Sequence, residues 1–166
     1  MSFLHALRDC LRFACFSLLL TAAVAQAKKN EEIDWLSVAQ TLLRDGALDR
    51  AESALGNVDP AVEGVDVAQY WTVKGLLAMA RNQLPAAVEG FDKAIAAGAV
   101  EPLVQLYLAQ AYFAQEQWPQ AIATIEGAGP ALADISAAWS MRVHANWMAG
   151  RKQQAMDVIR EATLRF

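Results

Sequence analysis

The chain reads as all-α: an α-solenoid of about four helical hairpins laid side by side. Two observations predict this. Four stretches superimpose with Ala51, Ala87, Ala121 and Ala155 at the same place, the last three 34 residues apart and the first two 36. A fixed period near 34 marks stacked helical units, each of which buries only part of its apolar surface by itself. Within each unit, apolar residues fall at helical spacing on two segments separated by a residue that stops a helix. An array of this kind carries function along an extended surface and not in one enclosed site.

The elements follow in order. In the first unit, about residues 32–65, Trp35, Ala39 and Leu42 mark one helix and Ala51 and Leu55 the next, with Gly46 between them. The loop Gly56-Asn57-Val58-Asp59-Pro60 holds the two extra residues that lengthen the first spacing. The second unit, 68–101, has Trp71, Gly75 and Ala78, then Asn82, then Ala87, Phe91 and Ala94. Asn accepts the left-handed conformation that ends a helix, as Gly does, and Asp66 is placed to cap the helix that opens the unit. Small residues at Gly75, Ala87 and Ala94 let the paired helices approach, while Trp71 and Phe91 fill the gaps around them. The third unit, 102–135, opens on Pro102, whose missing N–H costs nothing in a first turn, and continues with Ala109, Tyr112, Ala121, Ile125 and Ala128. Gly127-Ala128-Gly129-Pro130 breaks the chain before the fourth unit, 136–166, where Asp134 or Ser136 is placed as cap and Trp139, Val143, Gly150, Ala155, Ile159 and Ala162 follow.

This spacing resembles the tetratricopeptide repeat, whose pattern runs Trp, two residues, Leu-Gly, two residues, Tyr, then Ala, three residues, Phe, and a later Pro. The resemblance covers about residues 32–166, with departures at Gln105, Glu116 and Asn146. It implies a right-handed superhelix whose first helices line a concave groove and whose second helices lie on the convex side. Aligning the units puts Gln40, then Thr72, Leu76 and Met79, then Leu106, Gln110 and Phe113, then Ser140, His144 and Trp147 on that inner face. In chaperone-binding relatives the corresponding positions carry Lys, Asn and Arg that clamp a terminal carboxylate, and none stands at these positions. The resemblance therefore implies an apolar peptide or helix as ligand, with Gln and His adding a few polar contacts. In so short an array Leu76, Met79 and Leu106 can equally be filled by the chain's own neighbouring helices.

A different segment precedes the repeats. Arg8 and Arg12 are followed by an uncharged stretch from Phe13 to Ala25 and by the triplet Ala25-Gln26-Ala27. A basic start, a short apolar run and small residues around a cleavage point describe a signal peptide over residues 1–27, cut after Ala27. A periplasmic or secreted protein is expected. If the leader is retained, residues 13–27 become a membrane anchor instead, although the run is shorter than the ~20 residues that span a bilayer. Cys10 and Cys15 both lie before the cut, so the domain of residues 28–166 contains no cysteine, disulfide or thiol nucleophile.

Charge and residue supply narrow the function. From Lys28 onward there are 12 Lys and Arg against 17 Asp and Glu, a net charge of −5. That balance argues against nucleic acid, whose phosphates need a basic face. Metal binding fails because one His and no Cys remain, and no cofactor motif occurs: Gly75, Gly90 and Gly98 lack phosphate-loop spacing. Ser140 and His144 stand four apart, yet no acid is placed to orient the imidazole and no turn offers an oxyanion site, so no catalytic residue is expected. Trp35, Trp71 and Trp139 recur at one repeat position and read as core, whereas Trp118 and Trp147 fall elsewhere and suit partner contact. The expected role is a protein-interaction scaffold of the bacterial cell envelope. Two alternatives stay open: a self-associating structural subunit, or an accessory subunit of an envelope enzyme. Met156, Val158, Ile159, Leu164 and Phe166 are too many apolar residues for one helix face, and they point to a homo-oligomer through the C-terminal hairpin or to docking of this edge onto another envelope protein.

Overall fold

Residues that stop helices set the frame of the computed structural model, which describes residues 33–166. The expected leader lies outside the described residues. Eight α-helices occur among the described residues, with no strand: α1 Trp35–Arg44, α2 Leu48–Leu55, α3 Val67–Ala80, α4 Leu84–Ala96, α5 Pro102–Ala114, α6 Trp118–Ala128, α7 Ser136–Met148 and α8 Lys152–Arg165. A 3₁₀ turn, Gly129–Leu132, sits between α6 and α7.

The odd-numbered helices all end in the same way. Gly46, Asn82, Glu116 and Gly150 have φ of 75°, 57°, 60° and 75°. In each case the next residue donates its N–H back across the turn: Ala47 to Leu42 O at 2.8 Å, Gln83 to Ala78 O at 2.8 Å, Gln117 to Tyr112 O at 2.9 Å and Arg151 to Asn146 O at 2.8 Å. This is the left-handed helix stop that satisfies carbonyls otherwise orphaned at a C-terminus. Glu116 occupies the slot against its steric preference, because Cβ crowds the following carbonyl there. Replacing Glu116 by glycine is therefore expected to stabilise the protein by about 1 kcal/mol. The same change at Asn82, whose side chain tolerates the conformation, is expected to gain less; urea unfolding of the two variants checks the order.

Helix starts are more varied. Asp66 Oδ1 accepts from Gln69 N at 2.9 Å, as a cap should, and Pro85, Pro102 and Pro119 each stand in a first turn. The fourth unit departs from expectation. Ile135 takes the capping position without a side-chain bond, because Asp134 instead meets Arg165 Nη2 at 2.8 Å.

Each helix packs on its sequence neighbour, and the odd-numbered helices also contact one another in series, α1 with α3, α3 with α5 and α5 with α7. No such series joins the even-numbered helices among the described residues. The core is correspondingly a string of clusters. Leu36, Ala39, Ala51 and Leu55 pack with Val73 and Leu77, Ala87, Phe91 and Ala94 with Val104, Leu108 and Ala111, and Ile125 with Leu132 and Ala138. Where α3 crosses α4, a Cβ built on Gly90 would lie 2.7 Å from the Cα of Gly75. Arg142 reaches Glu126 at 3.2 Å and Glu161 at 3.3 Å, tying α6, α7 and α8 together at the surface. Exposed pairs of this kind contribute little individually.

Candidate protein interaction site

Because α1, α3, α5 and α7 touch in series, residues repeated on them come together on one face. Between α1 and α3 lies a cavity of about 670 Å³ bordered by Ser37, Gln40, Leu43, Val73 and Leu76. A second, of about 450 Å³, is bordered by Gln40, Gln69, Thr72, Leu103 and Tyr107 between α3 and α5. Gln40 borders both, so the two hollows adjoin. Thr72 keeps its hydroxyl in its own helix, donating to Ala68 O at 2.8 Å.

Towards the other end the face becomes aromatic. Phe113 packs edge-on to Trp118 with ring centres 4.9 Å apart and lies 6.5 Å from the His144 ring. Trp147 is exposed, with Lys152 Nζ 5.5 Å from its ring centre. Phe113 is half-buried and also packs on Ala121, Ile122 and Ala145, so it serves the core as well as the face. Gln110 is half-buried and Ser140 exposed. No hydrogen bond joins Ser140 to His144 among the described residues.

Leu106 and the repeated tryptophans differ from expectation. Leu106 is buried with Ala109, Ile125, Leu132 and Ala138 and offers a partner nothing. The 3₁₀ turn and α7 close over it. Leu76 and Met79 are partly buried against the Ala78 and Phe91 cluster, which they share with the surface. The three repeated tryptophans are not enclosed core residues. Trp35 is exposed. Trp71 is half-buried under two ammonium groups, Lys74 at 4.8 Å and Lys93 at 4.2 Å from its ring centre. Trp139 is half-buried and donates from Nε1 to Ala133 O at 2.9 Å. An indole that finds a polar partner at its rim need not be fully covered.

The Trp71 surroundings form a hollow of about 350 Å³ that sequence reasoning missed. The signal was Lys74 three residues after a Trp, one helical turn along the same face. Its charges are largely committed: Arg81 holds Asp49 and Glu52 at 2.6 Å each, and Lys93 holds Glu89 at 2.6 Å. The Lys93 hydrogen bond and charge keep the Glu89 carboxyl below its usual value. Burial raises Asp92, and burial together with the charge of Asp92 raises Tyr112. At Gln105, where the other three units have Trp, the Oε1 atom is buried without a hydrogen-bond partner. Among the described residues no three His, Cys, Asp or Glu side chains converge on a metal position. None of the described helices is long and apolar enough to cross a membrane.

Compared with known proteins, the chain matches no family model, and a search of the curated proteins finds no match.

Proposed function

We propose that the protein is an exported, non-enzymatic scaffold of the bacterial cell envelope, a tetratricopeptide-like α-solenoid wound as a right-handed superhelix. It holds an apolar peptide or helix of another protein along the face made by α1, α3, α5 and α7. One observation carries the reading: two adjoining hollows on that face share Gln40 and are walled by Leu43 and Leu76 on one side and Thr72, Leu103 and Tyr107 on the other. An open, elongated and mainly apolar trough suits an extended ligand with few polar anchors. The shared helix stops at Gly46, Asn82, Glu116 and Gly150 support the repeat architecture behind it.

Affinity capture from envelope extract tests the binding. Trp147→Ala and Gln40→Arg are expected to leave stability within about 0.5 kcal/mol of the parent, as surface changes usually do, while abolishing capture of the partner. Equal capture by both variants and the parent would remove the groove reading. For the leader, N-terminal sequencing of the exported form is expected to begin at Lys28. Retention of Met1 in a salt-resistant membrane fraction would mean that residues 13–27 anchor the protein.

A further inference from the structure

The second and fourth units each set a cation beside a tryptophan at the same place, and only one of the two cations is neutralised. In the fourth unit Arg142 lies 5.9 Å from the Trp139 ring centre, beside a hollow that both residues border with Glu126. In the second unit Lys74 lies 4.8 Å from the Trp71 ring centre, beside the hollow of about 350 Å³ described above. Each cation stands three residues after its tryptophan. Arg142 is held by Glu126 of α6 at 3.2 Å and by Glu161 of α8 at 3.3 Å. The place of Glu126, five residues after Ala121, is taken in the first unit by Gly56, five after Ala51. The place of Glu161, six residues after Ala155, is taken in the second unit by Lys93, six after Ala87. One carboxylate is thus missing and the other is replaced by a second cation. Gly56 and Lys93 both border the Trp71 hollow.

Lys74 is left without an acid of its own. No ion pair or hydrogen bond joins its ammonium to another of the described residues. Glu89 feels the Lys74 charge but bonds Lys93 at 2.6 Å, and Arg81 is taken by Asp49 and Glu52. An aromatic ring attracts an ammonium group yet does not fill its three donors. The group that completes the equivalent arrangement in the fourth unit is a carboxylate. Beside the cations the hollow is apolar: Tyr70 and Trp71 meet edge to face with ring centres 5.3 Å apart, and the buried Leu55, Leu77 and Ala78 also border it. Its volume falls at the low end of small-molecule sites, about 300 to 1,000 Å³. It has no lining residue in common with the two hollows of the trough.

We infer that this hollow binds a small organic acid, its carboxylate at Lys74 and Lys93 and its apolar body against Tyr70 and Trp71. The site is separate from the peptide trough and does not depend on it.

Titration of isotope-labelled protein with phenylacetate tests the inference, read by NMR at the Trp71 indole N–H, which is assigned by its loss in Trp71→Phe. Saturable binding at about 1 mM is expected for a ligand of this size. Phenylacetamide keeps the ring and loses the charge, and it should bind about 10-fold more weakly, as should phenylacetate to Lys74→Gln. Gly56→Glu restores the carboxylate that the fourth unit has, at a backbone with φ of −64° that accepts a side chain. That variant should also weaken phenylacetate about 10-fold, whereas the neutral Gly56→Gln should not. Gln40→Arg in the trough should leave phenylacetate binding unchanged, so failure of the peptide reading and failure of this one are distinguishable. No saturable shift in the parent, equal binding of the acid and the amide, or binding undiminished in both Lys74→Gln and Gly56→Glu would each overturn the inference. Acetate binding as tightly as phenylacetate would do the same, since the apolar walls would then contribute nothing.

Discussion

Gly90→Ala is expected to destabilise the protein by about 2 kcal/mol, while the same substitution at Gly127 stabilises it by up to about 1 kcal/mol. Both glycines lie within helices, and alanine improves helix propensity by about 1 kcal/mol at either. The surroundings decide the sign. A Cβ on Gly127 meets nothing within 4 Å, so only the propensity gain remains. A Cβ on Gly90 would lie 2.7 Å from Gly75 Cα, 2.9 Å from Gly75 N and 3.3 Å from Trp71 O. All three are backbone atoms of α3, so no side chain can turn aside, and relief requires the two helices to part. Overpacking typically costs 1 to 3 kcal/mol or somewhat more, which exceeds the propensity gain. Gly90→Leu adds three carbons at the same crossing and should prevent the second hairpin from closing, read as lost helical signal before any denaturant is added. Urea unfolding of the two alanine variants supplies the comparison. Should Gly90→Ala stabilise as Gly127→Ala does, α3 and α4 cross more loosely than their glycines indicate.

How much was legible beforehand depended on whether a feature is written along the chain or across it. The helix stops were legible at Gly46, Asn82 and Gly150, because the left-handed conformation selects residue types locally. Glu116 read as a departure and yet adopts φ of 60°. There the backbone bonds from Glu116 N to Phe113 O and from Gln117 N to Tyr112 O impose the turn on an unsuited side chain. Gly75 was legible as a close-approach residue, but Gly90, its partner, was not. Which residues of two helices meet depends on the rotation of α4 about its axis, which spacing within α4 leaves open.

The candidate face divides in the same way. Periodicity along α5 puts Leu106 beside Gln110 and Phe113, on the side facing a ligand. Its burial arises from the 3₁₀ turn after Gly129, which delivers Leu132 against it from another part of the chain. The tryptophans repeat in register, yet register says nothing of what covers a ring. Lys74 and Lys93 cover Trp71 with methylene stems and charge where apolar neighbours were expected. Gln40 borders both hollows and Trp147 is exposed, on helices that belong to one contacting series.

Phe91→Ala is expected to destabilise the protein by about 3 to 5 kcal/mol. Phe91 is fully buried, at 0% exposure, and it joins the second unit to the third through Val104, Leu108 and Tyr107, whose ring centre lies 5.9 Å away. Removing the ring both loses its transfer energy and opens a cavity that backbone-limited neighbours fill poorly. Against a total stability of 5 to 15 kcal/mol typical of such proteins, that loss brings the folded state close to its limit. The same ring explains Gly75. A Cβ there would stand 2.7 Å from Phe91 Cε1 and 2.8 Å from Cδ1, so Gly75→Ala alone should destabilise although alanine favours helix. With the ring gone, the new methyl enters vacated space. The double variant should therefore be more stable than the sum of the single effects predicts, by an interaction energy of about 1 to 3 kcal/mol. A double-mutant cycle in urea, with the slope of unfolding compared across all four proteins, isolates that energy from changes in the unfolded chain. Additive effects would mean that Gly75 is required by the α4 backbone at Gly90 alone, and that the Phe91 ring has room to move aside.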